Sequence, residues 1–174
     1  MQAEYAFLDA VSFAARSHDG QRRKDNATPY AAHVFRVCLI VRQLFKVEDP
    51  AVLAAAVLHD TIEDTKTDFD DLAERYGPRI AGWVALLSKD KRKEEHEREE
   101  AYLAGLAAAP WQVKACKLAD LVDNMLDMES LPAAKRETSK KRYRGYWAAF
   151  RKWTEPELQP ILRIVQPIAD SATS

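Results

Sequence analysis

The sequence has few glycines and cysteines and lacks the patterns typical of β-strands. Only five of its 174 residues are glycine, and two are cysteine. The Asp19-Gly20 pair ends a helical stretch and is not flanked by β-branched runs, so hairpins are not indicated. Cys38 and Cys116 do not form a CxxC pair. We therefore expect two buried or half-buried free thiols in a reducing compartment.

The sequence also has almost no net charge, and it has no long apolar run. Lysine and arginine number 26 and the acids 27, which gives a net charge of −1. No field over the whole surface would draw such a chain to nucleic acid or an anionic membrane. The longest apolar run, residues 51–58, is too short to span a bilayer, and residues 1–10 contain Glu4 and Asp9 without the apolar region of a secretory signal. We expect a cytoplasmic protein with neither nucleic acid nor a membrane as a partner.

Apolar residues recur at helical spacing along most of the chain. Val34, Val37 and Val41 share one helix face, for example. Residues 52–58 are apolar on all sides, which indicates a helix buried in the middle of a bundle. No repeat or linker divides the chain, and 47% of its residues are hydrophobic. The sequence predicts one all-α domain over residues 1–174, a helical bundle of roughly eight to nine helices.

Two Pro-containing pairs predict where helices begin. Thr28-Pro29 and Asp49-Pro50 each combine a residue that caps helix N-termini with a proline suited to the first helical position. We therefore expect helices to start at Pro29 and at Pro50.

The pair His59-Asp60 directly follows the most apolar segment of the chain. An ionised Asp60 is costly there unless it is paired or binds a metal. Glu63 and Asp64 follow, so four titratable groups fall within six residues. Taken alone, this cluster is equally compatible with a helix end that becomes polar where it meets water.

Two distant residues favour a metal site. His33 shares a helical stripe with Val37 and so points inward, although a lone histidine on an apolar face is usually a core residue. Asp120 lies one helical turn before Asn124. Together with His59 and Asp60, they form a set of two histidines and two carboxylates from three helices, which is how helical bundles build metal sites.

Imidazole and carboxylate ligands suit a borderline or harder divalent ion. Mn²⁺ is the first candidate, followed by Fe²⁺, Co²⁺ and Zn²⁺. Such an ion activates water and polarises a phosphoryl oxygen. Of the four histidines, only His18 and His96 remain beyond the proposed ligands. We therefore expect one divalent ion and not a histidine-rich two-metal centre.

The order of these residues resembles the H…HD…D motif of the HD phosphohydrolase superfamily. The chain is more narrowly similar to the hydrolase domain of Rel/Spo-type alarmone enzymes, and most similar to their single-domain members, the small alarmone hydrolases. The resemblance extends from about Phe7 to Trp147. The segments that carry it are residues 18–24, Thr28-Pro29-Tyr30, residues 58–65, residues 117–120 and Asn124.

This resemblance implies removal of the 3′-pyrophosphate of (p)ppGpp, which yields GDP or GTP and pyrophosphate, with Mn²⁺ as the metal. Glu63 and Asp64 match the acids that orient and activate the attacking water. The residues that match metal ligands are His33, His59, Asp60 and Asp120. Those that match substrate-binding positions are Arg23, Lys24, Asn124, Arg142, Tyr146 and, more weakly, Arg98.

The basic segments have a second interpretation. The run Arg22-Arg23-Lys24 and residues 135–144 could contact phosphates, yet such runs are often merely solvated. Residues 89–100 carry both signs of charge and are first of all typical of a solvated helix face.

Departures from the family pattern keep other substrates open. Val34 stands where a proline often follows the first ligand histidine. Met125-Leu126 stands where the family usually has a pair that includes a polar residue, Leu-Arg or Leu-Thr. A second hypothesis therefore keeps the site but assigns another nucleotide or phosphate ester, such as a phosphorylated dinucleotide. A third hypothesis, a nucleotide-binding module without turnover, is disfavoured because Glu63 and Asp64 are retained.

Overall fold

The computed structural model of the chain describes residues 2–173, and this part is helical apart from its connections. The only β pairing in it is an isolated bridge between Arg22 and Pro29. None of its helices is long and apolar enough to cross a membrane. The all-α prediction is confirmed. The helices are α1 (Gln2–Ser17), α2 (Ala31–Leu39), α3 (Pro50–Leu58), α4 (Thr61–Asp64), α5 (Phe69–Tyr76), α6 (Pro78–Leu87), α7 (Glu95–Ala108), α8 (Trp111–Leu126), α9 (Ala133–Phe150) and α10 (Leu158–Thr173).

Helix α3 forms the centre of the bundle. Every residue from Ala51 to Leu58 is buried, and the helix packs against α1, α2, α6 and α8. The burial follows from the sequence, because a helix with no polar face must be covered on all sides. His59 comes directly after α3, so this helix delivers the first residue of the His-Asp pair to the bundle interior.

The start of α3 matches the prediction. The Asp49 carboxylate accepts a hydrogen bond from the Ala51 backbone N–H at 2.8 Å, and Pro50 is the first helical residue. Proline is well suited to this position because the first helical N–H has no partner within the helix.

The predicted start of α2 at Pro29 is wrong. The helix begins at Ala31, with Tyr30 at the capping position. The Thr28 hydroxyl donates to the Asp25 carboxylate at 2.6 Å, and the Thr28 backbone N–H donates to the same carboxylate at 2.9 Å. Asp25 therefore closes a loop at this point, and Thr28 is not free to cap a helix.

Helix α8 brings polar groups into the core. It packs against α2, α3, α6, α9 and α10, and its buried residues include Lys114, Asp120 and Asp123 among apolar neighbours. The two cysteines, Cys38 on α2 and Cys116 on α8, are both buried and free, as expected. Helices α2, α3 and α8 thus meet around the predicted metal ligands.

Substitution of Asp49 tests whether its side chain stabilises the N-terminus of α3. Replacing Asp49 with alanine removes the acceptor for the Ala51 N–H and should lower the free energy of unfolding by about 1 kcal/mol. Urea unfolding of the chelator-treated protein would measure this loss. Asp49→Asn keeps an acceptor oxygen and should retain most of the stability. Equal losses in the two variants would contradict the capping role.

Candidate metal centre and substrate cavity

The four predicted ligands converge on one point of the structure. The Nε2 atom of His33 lies 3.4 Å from Asp60 Oδ2 and 3.2 Å from Asp120 Oδ1. The Nε2 atom of His59 lies 3.1 Å from Asp60 Oδ2 and 3.8 Å from Asp120 Oδ1. Ligand atoms of His33, His59 and Asp60 all lie within 4.8 Å of one another. Residues far apart in the sequence thus present two nitrogens and two carboxylates to a shared space.

The orientation of His59 fits a metal ligand. Its Nδ1 atom pairs with the Ala56 carbonyl oxygen at 2.8 Å, and because a carbonyl only accepts, Nδ1 carries the proton. The Nε2 atom is buried, and although it lies 3.1 Å from Asp60 Oδ2, it has no partner with the geometry of a hydrogen bond. A buried polar atom without a partner is rare and calls for an explanation. In neutral His59 the lone pair of Nε2 faces the carboxylates, so a divalent cation bound between them would displace any proton there and satisfy this atom.

The electrostatics of the cluster favour a positive charge. Burial alone would raise the pKa of Asp60 and Asp120, but His59 beside Asp60 and Lys117 beside Asp120 help hold both values well below the usual range. Burial likewise lowers the pKa of His33 and His59, yet the carboxylates outweigh it and raise the values to about 9 and about 10. The pocket thus stabilises cationic groups in its interior.

Each carboxylate ligand is held by a neighbouring donor. The Tyr30 hydroxyl donates to Asp60 Oδ2 at 2.6 Å. Lys117 Nζ donates to Asp120 Oδ2 at 2.8 Å, and Asn124 Nδ2 donates to Asp120 Oδ1 at 2.5 Å. Such partners fix the direction in which a ligand oxygen points. Tyr30 and Lys117 belong to the motifs quoted above, but the sequence alone assigned neither a role.

The two predicted catalytic acids lie beside the metal cluster in different surroundings. Burial raises the pKa of Glu63, against a hydrogen bond that its Oε2 accepts from the Lys89 backbone N–H at 2.8 Å. Asp64 Oδ1 is paired with Lys91 Nζ at 2.6 Å near the surface. Adjacent in sequence, the two carboxylates therefore differ in solvation and in partner.

A cavity of about 350 Å³ opens over the cluster. Four of its lining residues are the acids Asp60, Glu63, Asp64 and Asp120. Six are the bases Arg22, Arg23, Lys24, Lys89, Lys117 and Arg142. A larger groove of about 680 Å³ lies beside α10, but none of the metal-cluster residues lines it. The smaller cavity is therefore the candidate site, because its lining includes the metal-cluster residues and the larger groove has none of them.

Five of the predicted substrate-binding residues line this cavity: Arg23, Lys24, Asn124, Arg142 and Tyr146. Arg98 is not among the lining residues. Its guanidinium contacts the Lys93 carbonyl oxygen at 3.5 Å. The structure thus brings all of the predicted set to the site except Arg98.

Arg23 is more restrained than a basic loop residue would be. Only 5% of its surface is exposed. Its guanidinium donates to Asp127 Oδ2 at 2.8 and 3.0 Å and to Asn124 Oδ1 at 3.2 Å. Arg23 therefore forms part of the cavity wall, in contrast to the solvated interpretation of the basic run.

A polar cluster orients Tyr146, which also lines the cavity. The Tyr146 hydroxyl donates to Glu99 Oε2 at 2.5 Å. Lys89 Nζ lies 2.5 Å from Glu99 Oε1 and 2.7 Å from the Tyr146 hydroxyl oxygen. Sequence reasoning missed Lys89 and Glu99, because the mixed charges of residues 89–100 resemble an ordinary solvated face.

Two further residues near the cluster were also missed. Asp123 contacts His33, and Arg36 contacts Asp123. The available signal was their spacing, since Arg36 lies three residues after His33 and Asp123 three residues after Asp120, so that each pair shares a helix face.

The model of the HD domain family matches residues 10–153. The chain therefore belongs to the HD domain family. This match, together with the relatives described next, confirms the resemblance proposed from the sequence.

Relatives within the family carry a specific activity in their names. The chain is 38% identical over 124 residues to guanosine-3′,5′-bis(diphosphate) 3′-pyrophosphohydrolase MESH1 of Drosophila melanogaster, which covers 71% of this chain and 69% of that protein. It is 37% identical over 122 residues to MESH1 of Homo sapiens, covering 70% and 68% respectively. A solved structure described as a metazoan ortholog of SpoT that hydrolyses ppGpp superposes with a TM-score of 0.84 at 29% identity, covering 95% of this chain and 94% of that one.

The metal cluster can be tested by direct binding. After chelator treatment, the protein should take up one Mn²⁺ per chain, and an ion at 100 times its dissociation constant should raise the free energy of unfolding by about 2.7 kcal/mol. Asp60→Ala removes a ligand and should abolish both effects. Equilibrium dialysis and thermal unfolding with and without Mn²⁺ would measure them. Asp70→Ala, at an exposed acid on α5, is the control. Unchanged binding in Asp60→Ala would contradict this placement of the site.

Proposed function

We propose that this chain hydrolyses the 3′-pyrophosphate of (p)ppGpp and releases GDP or GTP and pyrophosphate. The observation that carries the proposal is the charge of the cavity lining, in which residues of the metal-type cluster lie together with six basic side chains. A small molecule with several phosphates suits this arrangement. The names of the relatives point to the same substrate.

We assign the metal ligands to His33, His59, Asp60 and Asp120. Mn²⁺ is the first candidate for this mixed set of imidazoles and carboxylates. A bound divalent ion would supply Lewis acidity toward a phosphoryl oxygen and lower the pKa of water.

Glu63 is the better placed of the two acids to accept the proton of the attacking water. Its raised pKa brings it closer to neutral pH, where a general base is most effective. Asp64 is bound to Lys91, and this pair is suited to orienting the water.

In the reaction, the water oxygen forms a bond to the phosphorus attached to O3′, and the bond between that phosphorus and O3′ breaks. Glu63 takes one proton from the water, and the released 3′ oxygen ends as a hydroxyl group by taking up a proton. The products are GDP or GTP with a free 3′-hydroxyl, and pyrophosphate. The proton that Glu63 takes from the water is balanced by the proton that the 3′ oxygen takes up, so no further reactant is needed.

The basic side chains of the cavity would bind the substrate phosphates. Arg142 is exposed on α9 and can present a planar fork to phosphate oxygens. Lys24 Nζ lies 3.4 Å from the Tyr143 hydroxyl, which places a second cation on the same side. Arg23 is held by Asp127 and contributes mainly to the shape and charge of the wall.

The wider setting of the activity is part of the same proposal. One hydrophobic core extends from α1 to α10, which supports a single hydrolase domain over residues 1–174. We place its action in the cytoplasm, on a small-molecule nucleotide, with neither nucleic acid nor a membrane as a partner.

Product analysis tests the substrate. Incubation with ppGpp and Mn²⁺, followed by anion-exchange chromatography, should show GDP and pyrophosphate. A chelator and the Asp60→Ala substitution should each abolish both products. Intact ppGpp in the presence of bound Mn²⁺ would reject this substrate and favour another nucleotide or phosphate ester.

The roles of the two acids can be separated by substitution. Glu63→Gln removes the proposed base and should lower kcat by about 10²–10⁴-fold, while bound Mn²⁺, measured by elemental analysis, stays at the wild-type level. Asp64→Asn keeps an oxygen near the water and should lower kcat less. The double variant should bind the metal and lose turnover. Persistent turnover in the double variant would contradict this mechanism.

A further inference from the structure

The two histidines of the metal cluster are oriented by different kinds of acceptor. His59 Nδ1 pairs with a neutral backbone carbonyl, that of Ala56, at 2.8 Å. His33 Nδ1 pairs with the Asp123 carboxylate, Oδ2, at 2.6 Å. The Asp123 contact joins α2 to α8, two helices that each supply a ligand. The Nδ1 partner of His33 is therefore charged, and the Nδ1 partner of His59 is neutral.

Asp123 is itself held in a single orientation. It is 2% exposed, and Arg36 grips it with two nitrogens, Nε at 2.6 Å from Oδ1 and Nη2 at 3.0 Å from Oδ2. A fork of this kind fixes the plane of a carboxylate as well as its position. Since Oδ2 also faces His33, rotation of the carboxylate would break all three contacts at once.

A second ion pair, between Arg23 and Asp127, lies beside the first without contacting His33. Asp127 lies one turn beyond Asp123 and is bound by Arg23 at 2.8 Å. Arg23 and Arg36 each approach the other carboxylate more loosely, at 3.8 and 3.7 Å. Positive and negative groups alternate here, so the buried charge of Asp123 is compensated without a proton.

We propose that Asp123, held by Arg36, is a positioning residue that fixes His33 for the divalent ion. A carboxylate accepts but does not donate, so the proton of a neutral His33 is kept on Nδ1 and the lone pair of Nε2 faces Asp60 and Asp120. The negative charge also makes the imidazole a stronger ligand. This inference rests on the metal site assigned above and adds a residue that does not itself contact the ion.

Asp123→Asn is the sharpest variant, because it keeps the size of the side chain. One of the two polar atoms of asparagine is a donor, so it cannot accept from His33 and from both nitrogens of Arg36. Loss of such a partner typically weakens metal affinity by about 10–100-fold. Asp127→Asn is the matched control, since Asp127 pairs with the same arginines but does not contact His33. Its Mn²⁺ affinity should stay close to wild type.

The readout is Mn²⁺ binding to the chelator-treated full chain, measured by calorimetric titration without substrate. The visible absorption spectrum of the Co²⁺-loaded protein would report the coordination itself, and it should change in Asp123→Asn but not in Asp127→Asn. Thermal unfolding in chelator shows whether each variant is folded. If Asp123→Asn does not fold, Arg36→Gln, at a partly exposed residue, takes its place and should weaken Mn²⁺ binding in the same direction.

The outcomes separate this inference from the assignment of the site. A folded Asp123→Asn protein with wild-type Mn²⁺ affinity and an unchanged Co²⁺ spectrum would overturn the positioning role. Equal weakening in Asp123→Asn and Asp127→Asn would also overturn it, since the effect would then belong to the ion pairs in general. If the wild-type protein binds no metal, or if Asp60→Ala binds it normally, the metal site fails instead.

Discussion

Charge buried at the end of an apolar helix is the constraint on which the rest of the structure depends. Helix α3 carries His59 and Asp60 to the centre of the bundle, where an unpaired carboxylate is very costly. Asp60 is partly buried, and Asp120 adds a buried carboxylate beside it. Imidazoles, a lysine, a hydroxyl group and an amide stabilise these carboxylates. Nε2 of His59 nevertheless makes no hydrogen bond. A divalent cation bound at this cluster would complete the balance of charge.

The distribution of charge around the cluster has consequences for catalysis. Four carboxylates and six basic groups line one cavity, so a polyphosphate bound there would meet cations beside the acids of the cluster. Glu63 and Asp64 show how the fold separates neighbouring acids, because one is desolvated and the other faces a surface lysine. Groups of one chemical type can then perform different tasks.

The ligands depend in turn on contacts outside the cluster. Asn124 links Arg23 on the cavity wall to the Asp120 carboxylate, and Asp123 links Arg36 to His33. The end of α8 therefore joins the proposed substrate-binding and metal-binding parts of the site. A substitution of Asn124 would act on both, although Asn124 is not one of the proposed metal ligands.

The sequence by itself determined the all-α class and the burial of residues 51–58, because helical periodicity is a local property. It also predicted the four proposed metal ligands from the order of His and Asp residues along the chain. Only the tertiary structure decided that Asp123 meets His33, that Arg23 turns inward to Asp127, and that Arg98 lies off the cavity. These outcomes depend on how α2, α8 and the connecting loops cross, and a local pattern does not encode which turns of two distant helices come into contact. The predicted start of α2 was wrong for a related reason. The hydroxyl and the backbone N–H of Thr28 donate to the Asp25 carboxylate, so Thr28 closes a loop and does not cap the helix.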